Sequence, residues 1–202
     1  GYNAFVFDFR AHGDSAGHLT SFGDLERRDV LGAVRWVRDH RPLMARRIVG
    51  VGASMGAAAL IAAAADEGED GRAIDAVAVY GTYDRVGSLA RSVTDQYFLP
   101  PLNWLAVNIG LPLASVQVGT NLNAFSPAAL APRLWPRPIL IVHGEQDEII
   151  DVAHGQSLFE AATLPKSRFW IERGSHNSVV NDDNAALAVR RFFDTAKPVP
   201  VI

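Results

Sequence analysis

The chain has 202 residues, 49% of them hydrophobic, which suits a single domain with a full core and excludes a disordered composition. Nineteen basic residues against 22 acidic ones leave a formal net charge of −3, so there is no electrostatic footprint for nucleic acid or for an anionic membrane surface. With no cysteine there is no disulfide and no thiolate metal site, and no window of 18 apolar residues is available to span a bilayer. The cytoplasm is the expected location, and oligomeric state is left open.

Taken in chain order, residues 4–9 read as a strand and 24–39 as a helix, with Ser21 and Asp24 forming a weak capping box. A strand over 47–52, a helix over 55–66 and a strand over 74–80 follow; Asp66–Arg72 is a charged connecting loop. The alternation then breaks over 86–125, an apolar stretch in which Pro100, Pro101 and Pro112 predict short, broken helices. It reads either as an extension of the core or as a lid, with Tyr97, Phe98 and Trp104 as an apolar wall. Ser126 and Pro127 start a short helix over Pro127–Leu130. A strand over 138–143, a helix over 152–162, a strand over 167–171 and a helix over 182–195 complete the chain. Strands alternating with helices imply an α/β fold, a mostly parallel sheet with right-handed crossovers and flanking helices.

The chemistry starts at Arg47–Ile61, RIVGVGASMGAAALI, in which a strand runs through Gly52-Ala53-Ser54-Met55-Gly56 into an alanine-rich helix. This is a G-x-S-x-G nucleophile elbow in its proper context. A serine hydroxyl is a weak nucleophile and must be held rigid and exposed beside a base. A sharp turn with positive φ at Ser54 does this, and Gly52 and Gly56 are expected to be required because the turn brings helix backbone onto strand. The N–H of Met55, at the helix N-terminus, is the expected first donor to an oxyanion. A phosphate-binding turn is the competing reading, weakened by the lack of any G-x-G-x-x-G or G-K-[ST] run.

The partners of such a serine follow it in the order acid, then histidine. Asp147 and His176 each lie in a loop just past a strand end, as Ser54 does, and in a parallel sheet those loops share one edge. Glu145, Glu148 and Asp151 compete with Asp147. Among the other histidines, His143 sits at a strand end and is expected to pack and orient the acid loop. His12 and His18 precede the elbow, and His154 is expected on a solvent-facing helix.

Four stretches together resemble an α/β-hydrolase: Ala4–Gly17 (AFVFDFRAHGDSAG), the elbow, Val142–Ile150 (VHGEQDEII) and the glycine–histidine loop Gly174–His176. The nearest resemblance is to the serine-aminopeptidase-like, monoacylglycerol-lipase-like and Bem46-like branch. Ala11 replaces the usual glycine of the first loop, and Asp151 stands where a proline is common. The resemblance implies a catalytic triad of Ser54, Asp147 and His176, no metal or organic cofactor, and a cap over 86–125. It also implies that this chain begins at about the family's fourth strand. The strand normally lying between residues 4–9 and the elbow strand is then expected to be missing, together with the second oxyanion donor. The expected function is cleavage of small carboxylic esters with an apolar part through an acyl-enzyme, weakly or not at all by this stretch alone. A thioesterase or serine peptidase on the same triad, or a non-catalytic binding protein, is the alternative. An amine-binding carboxylate for a peptidase would come from Asp84 or Asp95.

Overall fold

The computed structural model describes residues 1–197. Four strands, β1 (Ile48–Ala53), β2 (Ile74–Tyr80), β3 (Ile139–Gly144) and β4 (Lys166–Ile171), form one sheet in the order β1-β2-β3-β4, parallel throughout. Helices α1 (Arg27–His40), α2 (Met55–Ala64), α3 (Glu69–Arg72), α4 (Val86–Tyr97), α5 (Leu102–Leu105), α6 (Leu111–Val118), α7 (Pro127–Leu130), α8 (Val152–Ala161) and α9 (Asp183–Thr195) surround it. Caps follow the sequence: Ser126, Asp151 and Asp182 accept hydrogen bonds from the N–H of Ala129, Ala153 and Ala185.

The pleat divides the core in two. Val77, Val79, Ile139 and Ile141 face α1, α2 and α8, where Val34, Ile61 and Leu158 are buried. Ala76, Ala78, Leu140 and Val142 face the other way, onto Ala185, Val189 and Phe193 of α9. Both faces of β2 and β3 are therefore covered, which is why these strands are continuous apolar runs. Helix α2 is equally apolar all round because it is wedged between the sheet and α1, with eight of its residues buried.

Two expectations need correction. Residues 4–9 form no strand. They pass at a distance from β1, and a cleft of about 1050 Å³ lies between the two, lined by Tyr2, Phe5, Phe7, Val49, Val51 and, at one end, Ser54 and Met55. An extended segment with no ladder to join has no strand hydrogen bonds, and the outer edge of β1 has no strand partner among the described residues, leaving Val51 60% exposed. Helix α1 starts at Arg27 rather than Asp24. Residues 20–26 instead form a turn around the fully buried Glu26, whose carboxylate accepts from Thr20 Oγ1, the Ser21 N–H and hydroxyl, and the Gly23 N–H. Burial pushes that carboxyl up, but these hydrogen bonds prevail and hold it below the usual range.

The segment 86–125 is built of short helices, as its prolines predict. Its two ends pack as core: Val86, Leu111, Leu122 and Phe125 cluster with Ala58, Ala62, Tyr83 and Ile150. Its middle, through α5 and one π-helical turn at Ala106–Gly110, stands outward, with Leu99 and Trp104 exposed.

Candidate active site

The loops after β1, β2, β3 and β4 all emerge at the carboxyl edge of the parallel sheet, where open α/β sheets bind ligands. Ser54 follows β1 directly with φ +51° and ψ −122°, so the turn predicted from G-x-S-x-G is present and the serine heads α2. Its N–H is tied to the Tyr80 carbonyl at 2.9 Å, and its carbonyl accepts the Thr82 hydroxyl at 3.0 Å. Those bonds, with the helix bonds from Ala57 and Ala58 N–H, over-determine a backbone conformation that a serine seldom adopts. As the first residue of α2, Met55 has an N–H with no intrahelical acceptor.

The two elbow glycines are not equivalent. A Cβ on Gly52 would lie 2.7 Å from the Gly56 carbonyl oxygen and 2.8 Å from the Ala57 Cα, backbone atoms that cannot give way. A Cβ on Gly56 would meet nothing closer than the Phe9 ring at 3.5 Å, ordinary contact, so the steric requirement expected there is absent. Gly52→Ala is expected to cost about 3 kcal/mol, as overpacking against backbone does, while Gly56→Ala stays within about 0.5 kcal/mol. Urea midpoints of the two variants check the contrast.

Asp147 and His176 meet. Asp147 Oδ2 lies 2.8 Å from His176 Nδ1, and Oδ1 accepts the N–H groups of Ile149 and Ile150 at 3.0 and 2.7 Å. The Asp147 side chain is fully buried; that of His176 is 11% exposed. Burial pushes the Asp147 carboxyl up, yet the hydrogen bonds outweigh it and hold the group well below the usual carboxylate range. The bond to Asp147 raises His176 above the ordinary histidine value, against the opposing effect of its burial. Glu148, the rival acid, is exposed and touches His176 only at its backbone N–H, at 3.3 Å. Asp151 is occupied in capping α8.

Behind this pair, His143 is fully buried, its Nε2 donating to the Ile150 carbonyl at 2.8 Å and passing 3.5 Å from Asp147 Oδ2. It braces the acid loop as expected. Its Nδ1 has no hydrogen-bond partner because Gly155 closes over it: a Cβ there would be 2.6 Å away. The loops from β3 and β4 are brought together by glycines, since a Cβ on Gly144 would come 2.1 Å from the Gly174 carbonyl.

One residue that sequence reasoning missed sits between the serine and the pair. Gly81, at φ +46°, follows β2, and a Cβ there would be 3.3 Å from Asp147 Oδ2 and 3.5 Å from His176 Nδ1. The only signal was a glycine directly after a strand at the same sheet edge. Tyr80 and Gly81 thus join Ser54 on one side to the Asp147–His176 pair on the other.

Other expectations fare less well. Tyr97, Phe98 and Trp104 are 76%, 47% and 61% exposed and do not line the cleft beside Ser54. His154 does not face solvent: it is 8% exposed and its Nδ1 lies 2.7 Å from Asp84. Asp84 is therefore engaged rather than free to bind an amine, and Asp95 accepts from Asn103 at 2.8 Å. Ala11, where the resembling family has glycine, takes φ +60°, a conformation an alanine adopts at a cost of about 1 kcal/mol.

A base of this kind must be neutral to accept a proton. With His176 raised, the rate of any Ser54 chemistry is expected to climb with pH and reach half its plateau above about pH 6.5, the ordinary histidine value. A pH profile of the rate at which a fluorophosphonate probe labels Ser54 checks the midpoint; a plateau already reached below 6 contradicts it.

No helix among the described residues is long and apolar enough to cross a membrane. The model of the Alpha/beta hydrolase family matches residues 1–191. The chain is 29% identical to YqkD of Bacillus subtilis over 201 residues, covering 96% of this chain and 63% of that protein. It is 26% identical to YfhR of Escherichia coli K12 over 193 residues, covering 96% and 60%. Over 42 residues it is 48% identical to human alpha/beta hydrolase domain-containing protein 17B, which is 21% of this chain and 15% of that protein. It thus spans 55–63% of the length of the bacterial relatives it matches. Among solved structures, the Pyrococcus furiosus esterase Pf2001 superposes with a TM-score of 0.73 at 24% identity, over 97% of this chain and 72% of that one. Elbow, sheet order and family match agree: the chain belongs to the alpha/beta hydrolase family.

Proposed function

We propose that this chain carries the reacting groups of a serine hydrolase that cleaves carboxylic esters through an acyl-enzyme. The observation that carries the reading is the 2.8 Å bond between Asp147 and His176, which the Tyr80–Gly81 backbone after β2 links to a serine held at φ +51° at the end of β1. Ser54 Oγ attacks the ester carbonyl carbon as His176 Nε2 takes its proton. Asp147 accepts the Nδ1–H of His176, which fixes the tautomer with the basic nitrogen outward and favours the imidazolium that forms. The Met55 N–H, at the positive end of α2, stabilises the oxyanion. Collapse breaks the C–O bond, and the leaving alcohol takes the proton from His176. Water, deprotonated by His176, then attacks the acyl carbon, and the acid departs with Ser54 restored.

Two similarities support the ester in this reading: the Pyrococcus furiosus protein is named an esterase, and a Rhodothermus marinus protein covering 84% of this chain is named an esterase domain. The test is intact mass before and after a fluorophosphonate probe, with peptide mapping of the adduct. One adduct, on Ser54, is the expected result. If none forms, the labelling is repeated on a chain of the full length of the bacterial relatives; no adduct there either overturns the hydrolase reading in favour of a binding protein on the same fold.

A further inference from the structure

We propose that Asp84 and His154 form a positioning clasp that sets the Asp147–His176 pair against Ser54; the idea rests on the reading of those three residues as the reacting groups. Asp84 lies in the loop after β2 and His154 in the first turn of α8, after β3. Besides the 2.7 Å bond between them, Asp84 accepts the Ser88 hydroxyl at 2.6 Å and the Ser157 hydroxyl at 3.0 Å. The Asp84 carbonyl accepts from the Ala128 N–H and the Ser126 hydroxyl. One residue thereby ties the root of α4 and the start of α7 to α8.

Each half of the clasp is a short rigid step from the site. On the Asp84 side, Thr82 bonds the Ser54 carbonyl and Gly81 lies against Asp147 and His176. On the His154 side, the His154 N–H bonds the Asp151 carbonyl, and the neighbouring Ile150 gives its N–H to Asp147 and its carbonyl to His143. The serine comes from β1 and the acid from β3, and no covalent connection shorter than the β1–β3 crossover relates them. The clasp ties the loop after β2, whose Thr82 bonds the Ser54 carbonyl, to the helix after β3. A half-buried polar pair gains little stability, since desolvation offsets most of the attraction. It is a good way to fix geometry, because its bonds are short and directional. A displacement of about 1 Å in a nucleophile–base pair slows its reaction by about a hundredfold.

The test compares the 202-residue chain with His154→Ala, His154→Gln and Ser157→Ala. The readouts are the fluorophosphonate labelling rate and the downfield proton resonance of His176 Nδ1–H, which reports the bond to Asp147 without any chemistry. His154→Ala is expected to slow labelling ten- to a hundredfold and to shift or broaden the resonance. His154→Gln, whose amide can donate to Asp84, is expected to recover most of the rate. If His154→Ala does not fold, Ser157→Ala carries the test, with a two- to threefold loss expected. A folded His154→Ala that labels at the parental rate with an unmoved resonance overturns the clasp, as does an unaltered rate in Ser157→Ala where that variant carries the test. If the 202-residue chain takes no label at Ser54, the resonance still decides whether His154 positions His176.

Discussion

Ser54→Ala is expected to abolish labelling by fluorophosphonate and to lower kcat for an ester by roughly 10⁶, the scale of losing the nucleophile of a triad that acts as a unit. The stability consequence is expected to be small. The Ser54 side chain makes no capping bond to α2, and alanine inherits the same φ of +51°. Ser54→Gly separates the two effects further. It removes the same oxygen, but it relieves the positive φ and is expected to raise stability by about 0.4–1 kcal/mol. A serine position at which the inactive glycine variant is the more stable protein is one where stability is given up for chemistry. Thermal unfolding of the three proteins, beside their labelling, checks both halves. Equal labelling of parent and alanine variant would place the nucleophile elsewhere.

Asp147→Asn is expected to lower kcat about 10⁴-fold with the fold intact. The argument is one of donors and acceptors. The Ile149 and Ile150 N–H groups point at the Oδ1 position and will hold the amide oxygen there. The amide NH₂ then takes the Oδ2 position, 2.8 Å from His176 Nδ1, and presents a donor where an acceptor stood. Nδ1 must offer its lone pair, the proton moves to Nε2, and the nitrogen proposed as the base can no longer accept a proton. The same substitution bears on stability. The Asp147 carboxyl is held below its unfolded value, so its contribution is present above about pH 3.9 and is lost as pH falls below that toward the folded value. The stability gap between parent and Asp147→Asn is therefore expected to be widest near neutrality and to close on acidification. Urea unfolding at pH 7 and at pH 3 measures it. A gap that widens in acid would mean that the carboxyl is raised, not lowered, in the folded chain.

The elements flanking the site were legible because each is locally consistent. Residues 47–52, 74–80 and 138–143 are short β-branched runs ending at glycine or polar residues, and the helices after the first and the third open on the elbow turn and on the Asp151 cap. The order Ser54, Asp147, His176, with each residue just after a strand, places the three on one sheet edge before any coordinate is known. Residues 4–9 carry the same kind of pattern and still form no strand, because a strand exists only through its neighbour's hydrogen bonds. His154 looked solvent-facing because its helix is only weakly amphipathic; its partner Asp84 lies 70 residues away in sequence. Gly81 and Gly155 gave no local signal of what presses against them.

By itself the sequence determined the kind of fold, the family and the residue types at the sheet edge. These depend on hydrophobic period, turn chemistry and motif spacing, which are local properties of the chain. Tertiary structure alone decided which carboxylate holds His176, that Gly52 is sterically obligatory while Gly56 is not, that Tyr97, Phe98 and Trp104 stand away from the cleft, and that Asp84 binds His154. Each of these depends on how closely two distant segments approach. The packing of helices and loops over β2 and β3 sets that approach to within tenths of an ångström, and no spacing along the chain records it.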